Sequence, residues 1–116
     1  GQVPMGPNGL EYIGKLGASM DIETGVKAAR LCAINLLAQM NAHLHGDLER
    51  ITRCVKLVGF VNATPEFGDH PKVINGASEL IGAVLGEKGQ HARSAVGVGS
   101  LPFGVSVEVE AIFEIA

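Results

Sequence analysis

Arg93 stands in His91-Ala92-Arg93-Ser94, at the head of a run otherwise built from small and apolar residues. A guanidinium presents a planar fork of donors that fits a carboxylate in two-point contact, and its charge does not switch off near neutral pH. Arg93 is therefore the candidate anion anchor. The competing expectation is an ion pair with Glu108 or Glu110 across a hairpin, since paired charges are the usual way a sheet tolerates an inward arginine. Glu108 and Glu110 are two residues apart and share one strand face. A carboxylate held against apolar walls can serve as a general base toward water, but alternating glutamates also mark an ordinary half-exposed strand. On spacing alone both alternatives stay open.

The remaining reactive side chains offer less. His43 and His45 form an H-x-H pair that would converge on a metal from a strand but diverges on a helix. His70 and His91 lack Cys or carboxylate partners at ligand spacing, so no metal site is expected. Ser78 and Ser94 have no nucleophile-elbow context. Gly14 to Gly17 resembles part of a phosphate loop without its spacing or its Lys-Ser/Thr ending. Cys32 and Cys54 follow neither a CxxC nor a zinc pattern and lie in apolar runs, which reads as reduced core thiols.

These residues must be positioned by the elements around them. Pro7-Asn8-Gly9 is strong turn chemistry, and Leu10 to Leu16 alternates as a short strand would. From Thr24 the apolar residues Val26, Ala29, Ala33, Leu36, Leu37, Met40 and Leu44 recur at three- and four-residue steps, predicting a long helix that stops at Gly46. A tight turn at 47–50 precedes a β-branched strand from Thr52 to Val61. After a loop, Asp69 caps a second helix with Pro71 in its first turn, running to Gly86, with Asn75, Ser78 and Glu79 on its outer face. Two extended segments follow, Arg93 to Gly99 and Val105 to Ile115. The order β, α, β, α, β, β predicts an α+β layer with both helices on one side of a mostly antiparallel sheet. The second sheet face, assigned Ala95, Gly97 and Gly99 with Arg93, Glu108 and Glu110, then lacks a partner.

The chain has 116 residues, which is one domain's worth. Nine Lys+Arg against twelve Asp+Glu give a net charge of −3, without the basic footprint of a nucleic-acid binder. No stretch is long and apolar enough for a membrane span, and no signal-peptide pattern opens the chain, so a cytosolic or organelle-matrix location is expected. A mean hydropathy of +0.27 is high for so small a domain and suggests subunit contacts.

Gly1-Gln2-Val3-Pro4, Gly59-Phe60-Val61, Val73-Ile74-Asn75-Gly76-Ala77-Ser78, and above all His91-Ala92-Arg93-Ser94-Ala95-Val96-Gly97-Val98 followed by Leu101-Pro102 and Val107-Glu108-Val109-Glu110-Ala111 resemble the YjgF/RidA family, also called endoribonuclease L-PSP. The likeness covers residues 1–116 as a single domain. It implies a chorismate-mutase-like α+β fold assembling as a homotrimer with ligand clefts between subunits. It implies cofactor-free hydrolysis of reactive 2-imino acids and enamines to 2-keto acids and ammonia. Carried onto this chain, Arg93 matches the arginine that grips the substrate carboxylate, Glu108 the acid that positions or activates water, Asn75 a helix residue beside the cleft, and Gly1 the glycine whose carbonyl faces the substrate nitrogen. Three departures stand out. Ala95 stands where many RidA members have a cysteine, the family's upstream strands with a cleft tyrosine are not among these residues, and the loop from Asn62 to Pro71 is expected to be longer than in RidA. A non-catalytic binder of small carboxylates is the alternative function. Ribonuclease activity, which the family name records, fits the acidic balance poorly.

Overall fold

The computed structural model describes all of residues 1–116. The chain opens with a small hairpin, β1 (Met5–Gly6) and β2 (Gly9–Leu10), turning at Pro7-Asn8 as the composition predicts. The strand expected over Leu10 to Leu16 does not continue. Tyr12 at φ 56° and Gly14 at φ 150° bend the backbone, leaving single bridges at Ile13 to Val105 and at Leu16 to Ala63.

Helix α1 (Ile22–His43) begins two residues before the periodicity does, because Asp21 caps it: its carboxylate accepts the Thr24 backbone N–H at 2.9 Å. Hydrogen bonding from the Thr24 side chain first, and then from its backbone N–H, holds the Asp21 carboxyl below its ordinary value. A 3₁₀ turn (Leu48–Arg50) leads into strand β3 (Ile51–Asn62), and helix α2 (His70–Leu85) then starts after Asp69 with Pro71 in its first turn and ends at Gly86, φ 64°. Strand β4 (Ala92–Val98) and strand β5 (Val107–Ile115) complete the chain, joined through a 3₁₀ turn at Pro102–Gly104.

The main sheet runs β4-β3-β5. β5 pairs antiparallel with β3, as expected, but β4 pairs with β3 in parallel, so the sheet is mixed and β4 and β5 form no hairpin. The parallel pairing follows from α2, which carries the chain back to the start of the sheet before β4 begins. Directly paired residues share a sheet face, which fixes what each face carries. Leu57, Gly59 and Val61 are buried toward the helices, and beside them on β4 lie Arg93, Ala95 and Gly97. This corrects the face assignment made from sequence. Arg93, Ala95 and Gly97 are on the helix side, whereas Glu108 and Glu110, paired with Phe60 and Val58, are on the open side with Val96 and Ile112.

Small residues let the two helices approach the sheet and each other. Gly25, Ala28, Ala29, Cys32 and Ala33 line the buried side of α1, and Gly76 and Ala77 that of α2. A Cβ on Gly76 would overlap the Val26 carbonyl oxygen, backbone that cannot rotate away. No helix is long and apolar enough to cross a membrane.

Two outcomes follow from this packing. Gly76→Ala should lower stability by about 1–3 kcal/mol in urea unfolding, the usual cost of overpacking a tight contact; an unchanged midpoint would mean the helices are not so closely opposed. Cys32, fully buried, has its thiol pushed up to about 12, first by burial and then by the nearby Glu108 charge. Because the unfolded thiol ionises near its ordinary value of 9.0 while the folded one keeps its proton, stability should fall as pH rises from that value toward about 12. Cys32→Ala should flatten that alkaline slope relative to the parent protein, whatever its cost at neutral pH.

Candidate functional site

Arg93 lies near the start of β4, an edge strand, and its side chain rises on the helix side against α2. Asn75 and Ser78 are three residues apart on α2 and so present to the same place. Both meet the guanidinium: Arg93 Nη1 donates to Asn75 Oδ1 at 2.8 Å and to Ser78 Oγ at 3.2 Å. The ion pairs of the protein are Arg53 with Glu114 and Lys72 with Asp69, so Arg93 has no carboxylate partner. The ion pair expected with Glu108 or Glu110 is absent, because β3 separates the strands and the glutamates point from the other face.

An arginine carries five N–H donors. Nη1 spends its two on Asn75 and Ser78, which leaves Nε and Nη2 without a protein acceptor. Those two nitrogens form the side of the guanidinium that presents parallel donors to a carboxylate. Arg93 is half-buried, neither locked by acids nor loose in solvent.

Ser78 and His91 extend this arrangement, and the sequence reading had assigned neither a role. Ser78 Oγ is 2.9 Å from His91 Nε2, and His91 Nδ1 is 2.6 Å from the Gly89 carbonyl oxygen. The carbonyl can only accept, so Nδ1 carries the proton and Nε2 accepts from the Ser78 hydroxyl. The Ser78 oxygen is thereby left to accept from Arg93. One direction of donation thus runs from Arg93 through Ser78 and His91 to Gly89. The signal was present in the sequence: His91 and Arg93 are two apart and share a strand face, opposite an Asn-x-x-Ser pair on the preceding helix.

Glu108 and Gly1 form a separate group. Gln2 bridges Val109 in both directions, with N to O distances of 2.7 and 3.0 Å, laying the first residues along β5. A Cβ on Gly1 would sit 2.7 Å from Glu108 Oε2, so a glycine there permits the carboxylate's approach. Glu108 is half-buried and Glu110 exposed. Within one chain, then, Arg93 and Asn75 come together, Gly1 and Glu108 come together, and the two groups lie on opposite faces of the sheet. The equal access of Arg93 and Glu108 to one cleft, which strand parity permitted, does not hold within a protomer.

The fold defines a class: an α+β layer in which a β-α-β unit and one antiparallel strand carry two helices on a single face. Residues 1–113 match the family model described as "YjgF/chorismate mutase-like, putative endoribonuclease", and the chain belongs to that family. It is 51% identical over 116 residues to Protein TCP17 of Trypanosoma cruzi, across 99% of this chain and 72% of that protein. The crystal structure of the protein Atu1372 from Agrobacterium tumefaciens is 52% identical and superposes with a TM-score of 0.98, over 100% of this chain and 75% of that one. A "putative endoribonuclease" from Shewanella oneidensis is 33% identical with a TM-score of 0.93, over 99% and 76%.

The hydrogen-bond direction is directly observable. Ring nitrogen shifts in ¹⁵N NMR should show His91 protonated at Nδ1 and bare at Nε2, the tautomer less favoured in free imidazole, and Ser78→Ala should relax that preference. An Nε2-protonated ring in the parent protein would reverse the direction of donation.

Proposed function

We propose that the protein binds a small 2-imino or 2-oxo acid through the free Nε–Nη2 side of Arg93 and hydrolyses the imine to a 2-keto acid and ammonia without a cofactor. The observation that carries this reading is a fixed guanidinium with a carboxylate-matching edge and no internal counter-charge. Two-point binding orients the planar imine. Water then adds to the electrophilic imine carbon, a proton moves to nitrogen, and the carbon–nitrogen bond breaks to release ammonia. Glu108 takes the proton from the attacking water, and the Gly1 carbonyl accepts from the substrate nitrogen.

This chemistry needs Arg93 and Glu108 in one cleft, and a single chain keeps them on opposite faces. The reading therefore includes a homotrimer, in which the Arg93 edge of one protomer meets the Gly1–Glu108 edge of the next. The open sheet face supports it: Val96 is 43% and Ile112 58% exposed, with Val58 and Phe60 half-buried beside them, an apolar surface a lone protomer would leave in water.

A carboxylate-binding protein without turnover is the second reading, favoured by an Arg93 site complete within one chain while Glu108 is remote from it. The two separate cleanly. With 2-aminoacrylate generated in situ, the parent protein should accelerate decay and Arg93→Ala should not. Glu108→Gln should keep 2-oxobutyrate binding while slowing turnover. Arg93→Ala should weaken 2-oxobutyrate binding roughly tenfold or more, the worth of a charge-assisted contact. Decay no faster with the parent protein than with Arg93→Ala would remove the deaminase reading. Undiminished 2-oxobutyrate affinity in Arg93→Ala would remove both.

A further inference from the structure

A second fixed cation lies at the other end of β4. Lys15 follows the hairpin in an irregular stretch whose backbone is pinned by Leu16 N to Asn62 O at 2.9 Å and Thr64 N to Leu16 O at 3.0 Å. Its ammonium donates to Asn62 Oδ1 at 2.7 Å and to the Gly99 carbonyl at 2.8 Å. Asn62 is itself buried and held through Nδ2 by the Gly14 and Val105 carbonyls, at 3.3 and 3.2 Å. Lys15 is thus immobilised by neutral oxygens, pairs with no acid, and has a third N–H to spare.

That ammonium borders a cavity of about 530 Å³ with no acidic residue in its wall. Thr64 lines it, together with the rings of Phe67 and His70, packed edge to face with centroids 5.4 Å apart. Gly97 and Val98 of β4 form part of the wall. A Cβ on Gly97 would overlap His70 Nε2, so the glycine is what lets the imidazole lie against the strand. The His70 ring makes no hydrogen bond within the protein, while Asp69 beside it is turned to Lys72 at 3.6 Å. Thr64 and Phe67 come from the loop between β3 and α2, and His70 from its junction with α2. Gly97 is four residues beyond Arg93, roughly 13 Å along the strand, and the ammonium faces a different space.

We propose that this cavity is a second binding site, for a small carboxylate bearing a flat or branched apolar body. The carboxylate accepts from Lys15, and the apolar body lies against Phe67 and Val98. A positive charge fixed in a partly enclosed space without its own counter-ion favours an anion there, and the aromatic edge selects against small, fully hydrated ones. The proposal does not depend on the role of Arg93.

Phenylacetate is a suitable probe. Titrated into ¹⁵N-labelled protein, it should shift the amides of Thr64, Phe67, His70 and Val98, equally in the parent and in Arg93→Ala. Lys15→Gln, which keeps a donor toward Asn62 but removes the charge, should raise the half-saturating concentration about tenfold. Gly97→Ala, which leaves every charge in place and drives the imidazole into the cavity, should also weaken binding, and it carries the test should Lys15→Gln fold poorly. Absence of shifts at those four residues up to the solubility of phenylacetate would overturn the proposal. So would shifts lost in Arg93→Ala but intact in both Lys15→Gln and Gly97→Ala.

Discussion

The guanidinium of Arg93 is held by oxygens that carry no charge, and the use of this surface follows from that. Had a glutamate fixed it, an incoming carboxylate would have to displace a charge-assisted bond to gain one. Here the Asn75 and Ser78 oxygens set the orientation through Nη1 while the positive charge stays unneutralised. Half-burial leaves part of the side chain solvated, so the ion is not fully desolvated within the protomer. His91 supports this at one remove, because a hydroxyl that gives its proton to Nε2 has only lone pairs left for the guanidinium.

The second constraint is the position of β3. A strand hydrogen-bonded on both sides fixes the faces of both neighbours at once, and its pairings send Arg93 up beneath α2 and Glu108 out the other way. The acid–base separation is therefore topological rather than a matter of side-chain rotamers, and no local rearrangement within a protomer repairs it. The same register leaves Val96 and Ile112 uncovered on the face that holds Glu108. The separation of Arg93 from Glu108 and the exposed apolar surface thus share one origin.

Much of the fold was legible in the sequence where a single period dominated. The apolar steps from Val26 to Leu44 and the Pro71 start located both helices to within a few residues, although the Asp69 carboxylate makes no capping hydrogen bond and is turned to Lys72, and the alternation of Val105 to Ile115 located β5. The strand expected at Leu10 to Leu16 failed because alternation was read across Tyr12 and Gly14, whose backbone turns out of the extended region. Alternation also reports a strand's two faces without naming its neighbours. β4 and β5 are consecutive in sequence and look like a hairpin, but β3 lies between them, and that alone reverses the inference drawn for Arg93 and Glu108. The sequence singles out Arg93, Asn75, Gly1 and Glu108; their grouping into two pairs needed the register.

Charge segregation bears on how an acidic protein could take up an anion at either proposed site. With a net charge of −3 the average field repels carboxylates. Yet Glu108, Glu110 and Glu114 are collected along β5, on the far side of β3, while Arg93 and Lys15 meet the two ends of β4 on neutral supports. Over the spacing of a sheet, and with salt screening exposed charges beyond about 8–10 Å, the local field near each cation is set by its own surroundings rather than by the total. The small residues of β4, Ala95 and Gly97, keep the space between those cations from being filled by the strand itself. An anion approaching that edge meets fixed donors and apolar walls before it senses the acids behind the sheet.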